Sequence, residues 1–221
     1  MSNQPTTSRQ RIIDHAEVFT PSELVDDMLN LVTHECERIE SRFLEPACGN
    51  GNFLAEVLRR KLLTGDNRNK SNQVKWEREA FLATCSIYGI DLLPDNVEIC
   101  RQRLLRIVKD KHEERFNEPI SNEGVAAISF ILSRNILQGD ALIMRTSADQ
   151  PIIFSEWSLL SGSMLKRRDF AYDQLLDHAH IANLPLFSDL GKDVFVPIPV
   201  SEFPPCHYLK VHEVEQRVER T

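Results

Sequence analysis

The sequence lacks several features that mark specialised classes of protein. It has no apolar run long enough to cross a membrane, and its first residues lack the apolar stretch of a secretory signal, so a cytoplasmic protein is expected. The five cysteines are scattered without a Cys-x-x-Cys pair, which favours free thiols over a disulfide framework. A formal net charge of −7 argues against a general nucleic-acid-binding surface, so contact with DNA would need a local basic patch or a partner.

Length and composition predict one globular domain. The chain has 221 residues, of which 42% are hydrophobic and 27% charged, and this suffices for a sizeable core. Residues 1–16 are polar and predict a flexible arm, whereas 17–221 are expected to form a single domain. Residues 64–80 are polar and rich in turn formers, so they are interpreted as a surface insertion.

One stretch predicts a strand, a glycine turn and a helix in direct succession. An apolar pair at 43–44 precedes Glu45, Gly-Asn-Gly follows at 49–51, and residues 52–63 carry apolar side chains at helical spacing. Glycine lets the backbone approach a ligand, and the first N–H groups of a helix are free to bind one. A nucleotide-type site is therefore indicated, without the dinucleotide fingerprint, because Leu54 replaces its third glycine. A tight structural turn is the alternative.

The ten residues of this turn, 45–54, read Glu-Pro-Ala-Cys-Gly-Asn-Gly-Asn-Phe-Leu. They resemble the S-adenosylmethionine-binding loop of the N6-adenine DNA methyltransferases of restriction–modification systems, which commonly reads D/E-P-A-C-G-x-G-x-F-L. The resemblance implies S-adenosylmethionine as the cofactor, and Glu45 at the strand end is placed to accept hydrogen bonds from a ribose or an ammonium group. The other cofactor-binding residues implied in this loop are Ala47, Cys48, Gly49, Gly51, Asn52 and Phe53.

A second matching segment lies ahead of the loop. Thr20 is a good N-cap and Pro21 suits the first helical position, so 21–38 predict an amphipathic helix. A capped helix with no further role is one interpretation. The other follows from the resemblance, because Phe19-Thr20-Pro21 is similar to the segment that covers the methionine end of the cofactor in these enzymes.

Two further predicted strands end near an acid, Asp91 in one case and Asp140 in the other. A carboxylate offers two acceptor oxygens and can bind both hydroxyls of a ribose. The resemblance implies this role for Asp91, with Leu92 beside it. It also implies that Asp140 binds the adenine amino group while the backbone of Ala141 reads the ring edge. The alternatives are a cap for the following helix at Asp91 and a plain turn at Asp140.

The fourth predicted strand, 151–154, is followed by a departure from the family pattern. The resembling enzymes continue with N/D/S-P-P-Y/F, which holds the target adenine and stacks an aromatic ring on the flipped base. This chain reads Ser155-Glu156-Trp157 there and contains neither Asn-Pro-Pro nor Asp-Pro-Pro. Ser155 or Glu156 could accept a hydrogen bond and Trp157 could stack on a base, which makes these three the catalytic candidates. A core or lid position for Trp157 is the alternative.

The densest basic spot is Lys166-Arg167-Arg168, which is expected to open a helix running to about residue 180. These cations could contact DNA phosphates, or they could form a solvated helix end. The segment 184–221 matches the family poorly, and a strand at 194–200 and a last helix at 207–220 are expected there. No spacing of cysteine and histidine predicts a metal site.

The alternation of strands and helices predicts an α/β fold with three layers and a mainly parallel sheet, of the Rossmann-like methyltransferase type by resemblance. Two functions are compatible with it. One is methyl transfer from S-adenosylmethionine to adenine N6 of DNA, with only weak DNA binding by the isolated chain. The other is a catalytically degenerate, cofactor-binding subunit or regulator that needs a partner chain.

Overall fold

The structure is a computed structural model that describes residues 20–69, 72–176 and 197–218, with side chains to 214 in the last range. The arm predicted at 1–16 and Phe19 lie outside the described residues. Among the described residues, no helix is both long enough and apolar enough to span a bilayer.

Strands and helices alternate through the first part of the chain. In order, they are α1 (Ser22–Asn30), α2 (Thr33–Glu37), β1 (Phe43–Glu45), α3 (Asn52–Arg68), α4 (Gln73–Cys85), β2 (Ile87–Asp91), α5 (Pro94–Phe116), α6 (Asn122–Asn135) and β3 (Ile136–Gln138). The elements that follow are β4 (Ile153–Leu159), β5 (Met164–Ala171), β6 (Ser201–Glu202), β7 (Cys206–His207), a 3₁₀ turn (Tyr208–Lys210) and α7 (Val211–Val218).

The first three strands form a parallel sheet in the order β1-β2-β3. Leu44 pairs with Tyr88, and Gly89 pairs with Ile136. Helices connect the strands, as parallel pairing requires, so the fold is mixed α/β as predicted. The carboxyl ends of the three strands meet at one edge of the sheet, which is where ligands bind in folds of this class.

The fourth predicted strand does not extend the parallel sheet. It is β4, which pairs antiparallel with β5, so that Ser155 lies opposite Asp169. The short strands β6 and β7 also pair with β5. The described part of the chain therefore combines a parallel sheet with a separate antiparallel one, and the expectation of a single, mainly parallel sheet holds only for β1 to β3.

The helix predicted to open at 166 is instead strand β5, and helical residues begin only at 172. Side chains of β5 alternate, with Leu165, Arg167 and Asp169 buried. Because two of these inward positions are charged, the sequence lacks the alternation of apolar and polar residues that predicts a strand. Of the strand predicted at 194–200, only 197–200 are described, and they form no strand.

The two faces of the parallel sheet are covered differently. Ile87 and Ile136 join the main core, which is built from the helices. Tyr88 and Ile90 point the other way and pack with residues on and after the antiparallel hairpin, including Phe154. This division follows from the alternation of side chains along a strand.

The segment 64–80 is not a surface insertion of turns. α3 continues to Arg68, and α4 begins at Gln73. Trp76 is 1% exposed, and its indole N–H donates to the Asp66 carboxylate at 2.7 Å. Polar residues of this segment make internal contacts, which composition alone does not reveal.

The helix predicted for 21–38 is divided into α1 and α2. Pro21 is the N-cap of α1, and no side chain caps the helix, so the prediction that Thr20 caps it is wrong. Val25 and Leu29 lie one turn apart and are buried, which holds α1 against the core.

The buried Lys61 fastens the segment ahead of β1. Its ammonium donates to the carbonyl oxygens of Arg38, Ile39 and Ser41 at 2.8, 2.9 and 2.7 Å. The three N–H groups of the ammonium are therefore matched by three acceptors. Burial lowers the pKa of Lys61 to about 8, which is the cost of holding this charge in the core.

Replacing Lys61 should destabilise the fold strongly. Lys61→Met leaves three buried or part-buried carbonyl groups without this donor, so we expect the free energy of unfolding to fall by about 2–4 kcal/mol. Chemical denaturation measures this change. Lys109→Met, an exposed site on α5, is the matched control. Equal effects of the two substitutions would contradict the role of Lys61.

Candidate functional site

The loop between β1 and α3 is a tight turn built on two glycines. Gly49 and Gly51 have φ angles of 50° and 82°, a region that favours glycine. A Cβ on Gly51 would lie 2.5 Å from the Cys100 sulfur on α5. Cys48 is buried, and its hydrogen bond to Cys100, together with burial, raises the pKa of its thiol. Turn geometry and packing therefore account for these residues without any ligand, in agreement with the alternative interpretation as a tight structural turn.

Asp91 fastens this turn to the end of β2. Its Oδ2 accepts a hydrogen bond from the Gly49 N–H at 2.8 Å. Its Oδ1 accepts from the Leu93 N–H at 2.9 Å and from the Asn96 amide at 3.2 Å. Asp91 thus makes the helix-preceding contact that was the alternative to ribose binding. A carboxylate has room for about four hydrogen bonds, so one acceptor position remains.

Glu45 is the unsatisfied group of this edge. It ends β1, and its Oε2 is buried without a hydrogen-bond partner among the described residues. Burial, and secondarily the charge of Asp91, raises the pKa of Glu45 from 4.5 to about 7. A desolvated carboxylate with no partner costs free energy. A ligand that brings a positive charge or a hydrogen-bond donor would remove that cost.

The predicted N-terminal segment meets the glycine turn. The Asn52 side-chain amide donates to the Thr20 carbonyl at 3.2 Å, so the two matching segments are brought together. On the other side, Arg103 donates to the side-chain oxygens of Asn50 and Asn52 at 3.2 and 2.5 Å. Arg103 was missed by sequence reasoning because it lies 51 residues beyond Asn52 and belongs to no motif. Phe53 packs partly buried against the core.

The loop after β3 adds apolar surface to the same edge. Asp140 accepts a hydrogen bond from the Leu142 N–H at 2.8 Å, which is the plain turn of the alternative interpretation. Ala141 is half-buried, whereas Leu142 and Leu92 are 90% and 54% exposed. Gln138 donates to the Leu92 carbonyl at 3.1 Å and so holds the two loops together.

The three catalytic candidates are engaged inside the protein. Trp157 is 7% exposed, and its indole N–H donates to a buried asparagine of α6 at 2.9 Å. Trp157 therefore occupies a core position, as the alternative interpretation stated, and the prediction that it stacks on a base is wrong. Ser155 is 1% exposed and donates to Asp169 at 2.7 Å. Glu156 accepts from Arg168 at 3.0 Å.

The basic residues at 166–168 are each neutralised by an acid. The pairs and their N–O distances are Lys166–Glu202 (2.7 Å), Arg167–Asp169 (2.6 Å) and Arg168–Glu156 (3.0 Å). Arg167 is also buried. Arg167 is therefore wrong as a candidate phosphate contact, because it is buried and paired. Lys166 and Arg168 are partly exposed but would have to exchange an ion pair for a phosphate.

A cavity of about 390 Å³ opens beside Ser155 and Glu156. Its aromatic lining residues are Tyr88, Phe154, Phe170 and Tyr172. Tyr88 donates its hydroxyl to the Ser155 carbonyl at 3.0 Å, and Arg42 pairs with Glu156 at 2.8 Å. The cavity therefore has aromatic walls and an ion pair at its border, on the face of the sheet opposite the main core.

Comparison with known proteins gives one partial match. The chain is 30% identical over 86 residues to the type II methyltransferase M.VspI of Vibrio sp. (strain 343). The match covers 39% of this chain and 16% of that relative, so the chain spans only a small part of the relative's length. No protein-family model and no solved structure matches the chain. The similarity supports a relationship to methyltransferases in general.

Glu45 should make the stability of the ligand-free protein depend on pH. Its pKa is 4.5 unperturbed and about 7 in the fold, so its stabilising contribution is complete below pH 4.5 and is lost as the pH rises through about 7. Glu45→Gln should raise the free energy of unfolding at about pH 8 by on the order of 2 kcal/mol, with little change at about pH 5. Urea denaturation at both pH values measures this difference.

The matched control is Glu113→Gln, which removes an exposed carboxylate from α5. We expect it to leave the pH dependence of the wild type intact. If Glu45→Gln and Glu113→Gln behave alike at both pH values, Glu45 is not the strained group that its burial indicates.

Proposed function

We propose that this chain binds S-adenosylmethionine through a Rossmann-like methyltransferase fold of three layers, and that it serves methyl transfer to adenine N6 of DNA in a restriction–modification or defence system. The observation that carries this proposal is the unpaired, buried oxygen of Glu45 beside Asp91, at the edge where three parallel strands end. The loop sequence at 45–54 and the partial similarity to a type II methyltransferase support it.

The residues of this edge fit a cationic nucleoside. S-adenosylmethionine carries a positive ammonium and a positive sulfonium, and when bound it supplies an activated methyl group. Glu45 would hold the ammonium or a ribose hydroxyl, which satisfies its buried oxygen. Asp91 would offer its remaining acceptor position to the ribose. The adenine ring would lie on the exposed apolar side chains of Leu92 and Leu142, with Asp140 accepting from its amino group.

In methyl transfer the protein must chiefly orient the two reactants, because the attack on the methyl carbon is in line. A flipped base needs aromatic surface and an acceptor for its amino group. Phe170 and Tyr172 line the aromatic cavity beside Ser155, but both rings are 8% exposed or less. A base could stack on them only if the cavity opened wider, and stacking would then contribute roughly 1–3 kcal/mol per base. Glu156 borders this cavity and offers a carboxylate oxygen, although it is shared with Arg42 and Arg168.

Cofactor binding should depend on Glu45. We expect purified protein to bind S-adenosylhomocysteine, which keeps the ammonium, and Glu45→Gln to weaken binding about tenfold or more because it removes a charged hydrogen bond. Isothermal titration calorimetry at about pH 8 measures this loss. Glu113→Gln should bind like the wild type. Absence of binding by the wild type at millimolar ligand would refute the cofactor assignment. Asp91→Ala should also weaken binding, but it loosens the turn as well.

A second candidate function is a cofactor-binding subunit or regulator that needs a partner chain. β1 is the edge strand of the parallel sheet, and among the described residues no strand pairs with its outer side. Successive residues of a strand direct their N–H and carbonyl groups to opposite sides. Leu44 lies between the residues of β1 that bond to β2, so its own N–H and carbonyl groups face the open side. The internal engagement of Ser155 and Trp157 favours the same function, because neither side chain is free for a substrate.

Catalysis should distinguish the two functions. We expect little incorporation of tritiated methyl groups into adenine-containing DNA by the chain alone, since its net charge is −7 and its basic strand is neutralised. Added partner subunits should raise incorporation. In that complex, Glu156→Gln should lower the rate more than it lowers cofactor affinity, and Glu202→Gln should not. Rapid turnover by the chain alone, unchanged by Glu156→Gln, would contradict both expectations.

A further inference from the structure

A groove of about 360 Å³ lies between α1, α3 and the middle of α5. Its basic lining residues are Arg59, Arg103 and Arg106, and its acidic ones are Asp26, Glu56 and Asp110. We call it the arginine groove. It borders the back of the glycine turn through Asn50 and Asn52, and the proposed function does not use its charges.

Two of the three guanidinium groups of this groove, those of Arg103 and Arg106, have no carboxylate partner among the described residues. Arg103 bonds two amide oxygens and forms no ion pair within the described part of the chain. Burial lowers the pKa of Arg103, and the like charges of Arg59 and Arg106 lower it further. Arg106 is exposed and makes no hydrogen bond or ion pair with any described residue. The three cations are thus close enough to repel one another.

The acids of the groove do not cancel this charge. Asp26 pairs with Arg60 at 3.1 Å, and Glu56 pairs with Arg60 at 3.2 Å and with Arg59 at 3.5 Å. These two carboxylates are therefore already engaged. Asp110 is the remaining acid; it lies on α5 together with Arg103 and Arg106 and forms no ion pair with any described residue. An excess of positive charge remains inside a concave surface.

We propose that the arginine groove binds an anion of the phosphate type. Guanidinium groups bind phosphate oxygens in pairs of hydrogen bonds, and a bound anion would turn their mutual repulsion into attraction. Arg103 is held in place by Asn50 and Asn52, whereas Arg106 is free to close on the ligand. Thr20 and Ser22 line the same groove and can add hydroxyl donors.

The groove differs in sign from the cofactor edge. Glu45 and Asp91 give that edge a negative charge, which favours a cationic ligand, whereas the arginines favour an anion. The two ligands should therefore bind side by side without competition. The phosphate group could belong to a free phosphorylated small molecule or to a nucleic-acid backbone, because both present the same oxygens.

The experiment uses the full chain and inorganic pyrophosphate as the probe. Calorimetry at low salt should show saturable binding by the wild type. Arg106→Gln should weaken it about tenfold or more, since each charged hydrogen bond contributes on that scale. Arg59→Gln should weaken it in the same direction. Lys109→Gln removes the same charge from an exposed site on α5 outside the groove and should bind like the wild type.

Thermal denaturation supplies an independent signature. Without pyrophosphate, Arg106→Gln should not lower the melting temperature, because it relieves repulsion. With pyrophosphate, the wild type should gain more stability than the variant. A DNA duplex added as competitor identifies the source. Displacement of pyrophosphate indicates a backbone phosphate, and absence of displacement indicates a small phosphorylated ligand.

Three results would overturn the inference. The first is a failure of pyrophosphate to bind the wild type at millimolar concentration. The second is an equal loss of affinity in Arg106→Gln and Lys109→Gln, which would indicate general charge attraction. The third is a loss of pyrophosphate binding on saturation with S-adenosylhomocysteine, which would make the groove part of the cofactor site. Because the titration contains no cofactor, it does not depend on whether the proposed function holds.

Discussion

The hydrogen bonds of the Asp91 carboxylate determine the geometry of the candidate site. One oxygen holds the Gly49 N–H in the turn after β1, and the other holds the Leu93 N–H ahead of α5. A single side chain thereby joins the ends of two neighbouring strands and the start of a helix. The backbone contact from Cys48 to Ile90 at 2.8 Å adds to this link. The turn is positioned before any ligand arrives, which lowers the entropy that a ligand would have to offset.

The same arrangement explains why Glu45 is strained. Asp91 places its negative charge beside a carboxylate that is already desolvated, and the Gly49 N–H of the turn donates to Asp91. Glu45 therefore keeps one oxygen without a partner. A purely structural turn would gain stability from a neutral residue at this position. Glu45 destabilises the free protein, and residues that are unfavourable for folding are expected at functional sites.

The sequence predicts most of the parallel half of this fold and little of the antiparallel half. Strands near 43, 87 and 136 and most of the helices between them carry regular apolar periods, whereas α4 begins in a polar segment and is not predicted. The sequence predicts a helix at β5 because the charged Arg167 and Asp169 occupy inward positions, where they neutralise each other. In the site, the motif predicts which loops meet, but not that the Asp91 carboxylate accepts hydrogen bonds from backbone N–H groups. These hydrogen bonds and the position of Arg103 depend on tertiary contacts.

The antiparallel hairpin limits what the catalytic candidates can do. Ser155 is locked between Asp169 and the Arg167 side chain, at 2.7 and 3.0 Å, in a buried polar cluster. Breaking such a cluster to receive a substrate would leave buried charges unpaired, which is costly. Substrate chemistry at this end must therefore use the outer rim, where Glu156 borders the aromatic cavity. That rim adjoins the open edge of β1, because Arg42 and Leu44 line the same cavity. A partner strand added to β1 would therefore extend the wall of the cavity.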